Sequence, residues 1–146
     1  MISMPSEHLA LLMETGYIYL GMQRYKEAKE VFEGVAVLKQ TSEIPLVALA
    51  GVHFCQGKLK EATRLYKKAL EVNPGSIYAK AYFAETLFFD GHKKEAVGFL
   101  KEVDQEDKGP VGDFARALLG AIDKGFTPET LSQAGELKAH YDKKKK

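Results

Sequence analysis

The sequence predicts an all-α chain built as a stack of helical hairpins. Three observations predict it. The triplet Lys26-Glu27-Ala28 returns as Lys60-Glu61-Ala62 and as Lys94-Glu95-Ala96, at a constant spacing of 34 residues. Small residues stand twelve positions before each alanine, at Gly16, Ala50 and Ala84, and large apolar residues four positions after it, at Phe32, Tyr66 and Leu100. All five prolines (Pro5, Pro45, Pro74, Pro110 and Pro128) fall at helix starts or in connections, so none breaks a proposed helix. A fixed period of this kind marks a solenoid, in which each unit buries its apolar face on the next.

Composition narrows the function classes. The chain has 146 residues, the size of one domain. Net charge is +1, but four of the cations are Lys143–Lys146; without them 17 basic residues face 20 acidic ones. The body is slightly acidic, which argues against a nucleic-acid-binding surface. Cys55 is the one cysteine, so an internal disulfide or multi-Cys zinc site is excluded. No stretch is apolar enough to span a bilayer, and no basic region followed by an apolar run opens the chain. The expected location is cytoplasmic.

A 34-residue period with these residues resembles the tetratricopeptide repeat (TPR) family, whose pattern sets small residues at repeat positions 8, 20 and 27, an aromatic near 24 and a proline near 32. The repeats are placed at 9–42, 43–76 and 77–110. The second matches best, with Ala69 and Pro74 closing it. The first carries Val35 and Gln40 at those closing positions, and the third Val103 and Lys108. The whole of 1–142 is expected to be a single TPR domain.

Each element has its local reason. Helices are expected at Ser6–Gly21, Tyr25–Lys39, Glu43–Gln56, Leu59–Val72, Ser76–Asp90 and Lys93–Glu106. Small side chains at positions 8 and 20 let the two backbones of a hairpin approach closely. Gly57 and Gly91 fall just past helix ends, where a left-handed residue closes a helix cheaply. Phe114, Leu118 and Ile122 give Val111–Lys124 a helical spacing, and Gly125-Phe126 is the turn after it. Thr127-Pro128-Glu129 reads as the start of a last helix over Pro128–Tyr141. The C-terminal helices, 111–141, are a divergent fourth pair or a solvating cap. Lys143–Lys146 are expected to be a disordered tail, because adjacent like charges repel and bury nothing.

Little in the sequence carries chemistry, and no enzyme, cofactor or metal site is expected. His53 and Cys55 are two apart on one helix, so they point in nearly opposite directions and cannot share a metal. His53 reads as a satisfied core or half-buried histidine. Asp104, Glu106 and Asp107 read as a solvated acidic edge.

The TPR resemblance implies a concave groove lined by positions 2, 5, 9, 12 and 13 of each first helix. On this sequence these are Ala10, Met13, Tyr17, Leu20 and Gly21, then Ile44, Val47, Gly51, Phe54 and Cys55, then Tyr78, Ala81, Glu85, Phe88 and Phe89. Only Glu85 among them is charged. The candidate binding residues are Met13, Tyr17, Leu20, Val47, Phe54, Tyr78, Ala81, Glu85, Phe88 and Phe89. Part of positions 12 and 13 serves the contact between repeats, but an apolar, aromatic set of this size points to a bound protein segment. The two-carboxylate clamp of chaperone-tail TPR domains is missing: its positions hold Met13, Tyr17, Ala48, Tyr78 and Tyr82, none cationic. Size, repeat number and groove also resemble the small TPR chaperones of bacterial type III secretion. That resemblance implies a needle subunit or translocator as client, with the needle branch, which works with a small helical co-chaperone, as the favoured one. The alternative is an adaptor subunit of a stable assembly. On this reading Phe88→Glu or Tyr17→Glu weakens binding and leaves the fold intact.

Leu49 sits on the pairing face of its hairpin. Leu49→Asp would bury an unpaired charge at a helix–helix contact and should abolish the cooperative urea transition. A folded variant would refute the repeat register.

Overall fold

The computed structural model describes residues 4–130. They run through seven helices: α1 (Ser6–Gly21), α2 (Tyr25–Leu38), α3 (Ile44–Cys55), α4 (Leu59–Val72), α5 (Ile77–Phe89), α6 (Lys93–Glu106) and α7 (Pro110–Asp123). Residues 128–130 begin another helical stretch. The expected helix over Pro128–Tyr141 lies outside the described residues from 131 onward, as does Lys143–Lys146. Among the described residues no helix is long and apolar enough to cross a membrane.

The hairpins pair α1 with α2, α3 with α4, and α5 with α6. Each second helix then packs on the next first helix, joining α2 to α3, α4 to α5 and α6 to α7. The first helices also touch one another, α1 with α3, α3 with α5 and α5 with α7. They therefore form a continuous inner layer. Helices α3 and α5 bury residues on several sides, as an apolar circumference requires.

Close approach at the small residues holds each hairpin together. Ala28, Ala62 and Ala96 are fully buried, as are Ala50 and Ala84. In the first hairpin the partner of the small residue is the ring of Phe32. A Cβ placed on Gly16 would lie 2.4 Å from Phe32 Cε1, so alanine, which occupies the equivalent positions 50 and 84, would force the Phe32 ring to shift here. The Phe32 ring lies across a bare stretch of α1 backbone.

The turn inside each hairpin is one motif repeated. Gln23, Gly57, Gly91 and Gly125 all have positive φ, 60°, 76°, 87° and 87°. The residue after each donates its backbone N–H five positions back, Arg24 to Tyr19, Lys58 to His53, His92 to Leu87 and Phe126 to Ala121, at 2.8–3.0 Å. These are Schellman closures. Their spacing places α7 in the register of a fourth first helix.

The joints between hairpins are polar and differ from one another. Glu43 is buried and accepts a 2.7 Å hydrogen bond from Asn73 Nδ2. Ser76 Oγ caps α5 by accepting from the Ala79 N–H. Asp107 accepts from the Gly112 N–H at 2.7 Å, and Arg116 donates to Asp104 at 2.9 Å. The expected solvated acidic edge is thus corrected: two of its three carboxylates fasten α7 to α6.

The expected helix bounds differ from the observed ones by a residue at several ends. Glu43, Ser76 and Asp90 flank helices instead of joining them. The outer side of α1 leaves Leu11, Ile18 and Met22 more than half exposed, in one stripe.

Gln23 occupies a left-handed position that glycine fills in the other three turns. Gln23→Gly should stabilise the chain by about 0.5–1 kcal/mol, because a side chain in that region costs roughly 1–2 kcal/mol and part of the relief returns as chain entropy. An unchanged or lower urea midpoint would contradict the strain.

Candidate protein-binding groove

The inner layer of first helices carries a cavity of about 250 Å³. At its centre the same repeat position supplies three different residues: Tyr17 on α1, Gly51 on α3 and Glu85 on α5. Leu20 joins Tyr17 from α1, and Val47, Ala48, Phe54 and Cys55 come from α3. Tyr78 and Tyr82 complete the α5 side, and Tyr66 of α4 reaches through from the second layer.

Aromatic rings form the walls. Tyr17 and Tyr78 share a 2.6 Å hydrogen bond between hydroxyls, which ties the first hairpin to the third across the cavity. Tyr17 also meets Phe32 edge-on at 5.1 Å. Tyr78 meets Tyr82 edge-on at 5.1 Å, and Tyr82 stacks on Phe114 of α7 at 5.0 Å. The wall is anchored at both ends.

The electrostatics are set by burial. Burial pushes the Tyr66, Tyr78, Tyr82 and Tyr17 hydroxyls above their ordinary range, so all four are neutral. Burial, and second the Glu85 charge, also push the Cys55 thiol up. Glu85 is half-buried, and desolvation raises its own carboxyl. Among the described residues no lysine, arginine or histidine pairs with it, since every ion pair lies elsewhere.

Six of the ten expected binding residues line this cavity: Tyr17, Leu20, Val47, Phe54, Tyr78 and Glu85. The other four lie outside its lining. Met13 and Phe89 are partly buried against the core, Phe89 edge-on to Phe54 at 5.6 Å. Ala81 is fully buried. Phe88 is 2% exposed and stacks on Phe126, in the turn after α7, at 6.0 Å. Ala81 and Phe88 are therefore corrected from groove to core. Phe88→Glu would bury a charge and disrupt folding, so it cannot report on binding.

Tyr66 was missed because it lies on a second helix. Its signal was the pair Ala48 and Gly51, whose lack of bulk opens a window through α3. Tyr82 sits one position beyond the expected groove pattern. His53 is buried as expected but is not satisfied: its Nδ1 has no partner, and burial lowers its pKa, so it is neutral.

Models of the tetratricopeptide repeat match residues 10–36 and 54–122. No curated protein matches the sequence significantly. Among solved structures, the type III secretion translocator chaperone SycD of Yersinia enterocolitica aligns with a TM-score of 0.70 at 19% identity, over 80% of this chain and 91% of that one. PcrH, a protein of Pseudomonas aeruginosa, in complex with the chaperone binding region of PopB aligns at 0.68 and 15% identity, over 83% and 98%. The first TPR of Spaghetti (RPAP3) bound to the HSP90 peptide SRMEEVD aligns at 0.66 and 18% identity, over 84% and 99%. At these identities the likeness establishes the fold.

Glu85 supplies a test of the cavity's electrostatics. In the folded chain its carboxyl holds a proton to higher pH than the ordinary value of 4.5. Between the two values the folded state binds more protons, so the ionised carboxylate costs stability above them. Glu85→Gln should raise the melting temperature at pH 7, with the gain shrinking as pH falls towards 4.5. A loss of stability at pH 7 would mean that the carboxylate has a partner in the fold.

Proposed function

The chain belongs to the tetratricopeptide-repeat family, and from that premise we propose that it is a chaperone holding an apolar or amphipathic segment of a client protein against its inner layer. The observation that carries this reading is the open aromatic cavity bridged by Tyr17 and Tyr78. Rings offer large contact area at small cost in side-chain entropy. The bridge is one neutral hydrogen bond, worth about 1 kcal/mol, so a client that displaces it recovers the cost by burying only a little apolar surface. Holding an aggregation-prone segment lowers its free concentration.

The client we propose is a type III secretion substrate held in the cytoplasm. A needle subunit, implied by the sequence resemblance, suits an amphipathic segment. The partners bound by the structural neighbours SycD and PcrH, a peptide of YopD and a region of PopB, support a translocator equally. An acidic tail is disfavoured. The HSP90 peptide SRMEEVD held by Spaghetti would meet Glu85 and no lining cation here. The exposed stripe Leu11, Ile18 and Met22 favours a second protein contact, with a small helical co-chaperone, or with a permanent assembly if the chain is an adaptor.

Gly51 gives a clean test. A Cβ there has no heavy atom within 4 Å, so Gly51→Phe fills the cavity without a clash at the backbone. Helicity and melting temperature should stay at or above wild type, since glycine inside a helix costs about 1 kcal/mol. Capture of an export-apparatus protein from the source cell's lysate should fall at least tenfold. Equal capture by both forms would place the contact elsewhere and favour the adaptor.

A further inference from the structure

We propose that the cavity is a specificity pocket for one cationic side chain, a lysine or arginine of the bound segment, seated between the tyrosines with its charge on Glu85. This rests on the reading of the inner layer as a protein-binding surface, and it adds what that surface selects.

Three observations carry it. The lining has one carboxylate, Glu85, and among the described residues no basic side chain to offset it. Among the described residues Glu85 has neither a hydrogen bond nor an ion pair, although it is half-buried. A carboxylate in that position costs stability unless something else neutralises it. Tyr17, Tyr66, Tyr78 and Tyr82 surround the same space, and the face of a tyrosine ring attracts a cation. Leu20, Val47 and Phe54 offer an apolar channel for a methylene stem.

Volume decides between a side chain and a free small molecule. At about 250 Å³ the cavity falls below the roughly 300–1,000 Å³ of small-molecule sites. It has room for one long side chain whose backbone lies outside, across the Tyr17–Tyr78 bridge. An acidic or purely apolar anchor would leave the Glu85 carboxylate unpaired, and would bind less well for that reason.

The test uses the full chain and a random dodecamer peptide library, with selection on wild type and counter-selection on Gly51→Phe. Peptides dependent on an open cavity should share one lysine or arginine among apolar residues. Replacing that residue by norleucine should weaken binding about tenfold, the scale of a desolvated cation on rings and carboxylate. Glu85→Gln should weaken the cationic peptide by a similar factor and leave the norleucine peptide within twofold. Cavity-dependent peptides with no shared cation, or a cationic residue that norleucine replaces at no loss, would overturn the specificity pocket and keep the binding surface. Peptides that bind Gly51→Phe as well as wild type, or no selected peptides at all, would overturn the proposed function itself. A synthetic peptide of residues 131–146 serves as competitor. If it displaces the selected peptides at tenfold lower concentration than they displace one another, the pocket belongs to the chain's own C-terminal segment and not to a partner.

Discussion

The whole architecture depends on how closely two backbones approach inside each hairpin. Gly16, Ala50 and Ala84 on the first helices, and Ala28, Ala62 and Ala96 on the second, leave so little side chain between them that helices can pack near the short end of the usual 8–10 Å separation. Larger residues there would splay each pair and move the next hairpin with it, because every second helix is also the floor on which the following first helix rests. The error would accumulate along the stack. The first hairpin shows how tight the limit is, since Phe32 fills the space that even a methyl group at Gly16 would need.

The same economy of bulk makes the cavity. Ala48 and Gly51 lie on the inner side of α3, and their small size exposes Tyr66 of α4 as part of the cavity wall. At the equivalent of Gly51 the neighbouring helices carry Tyr17 and Glu85, so the central helix forms a gap flanked by a ring and a charge. Repetition supplies the frame, and departure from repetition at one position supplies the recess. The Tyr17–Tyr78 bridge then spans what α3 leaves open.

Much of this was legible in the sequence for a physical reason: a solenoid is made of local contacts, so a period in the residues is a period in space. The triplet at Lys26, Lys60 and Lys94 placed all six helices of the three hairpins to within a residue or two. Legibility failed where contacts left the period. Phe88 looked like a groove residue because its partner, Phe126, lies beyond α7, in the stretch whose packing the sequence left open. Gln23 hid a left-handed turn because the residue normally diagnostic of one, glycine, is missing there. Asp104 and Asp107 looked like solvated charges because their partners, Arg116 and the Gly112 N–H, belong to the next element. Tyr66 and Tyr82 needed three-dimensional neighbours to be seen as one wall.

Comparison of the acidic residues separates structural from functional polarity. Glu43 has Asn73, Asp90 has Lys60, Asp104 has Arg116, and Asp107 has a backbone N–H. Each of these carboxylates sits at a joint and fastens two elements. Glu85 sits at no joint. It lies on the inner layer, half-buried and without a partner among the described residues, where desolvation disfavours its ionised form. A fold that satisfies its carboxylates wherever they hold elements together, and among the described residues leaves this one unpaired beside four tyrosines, keeps that charge open to a group from outside the described residues. Stability given up at a binding surface is recovered on binding, and only by a ligand of the right sign.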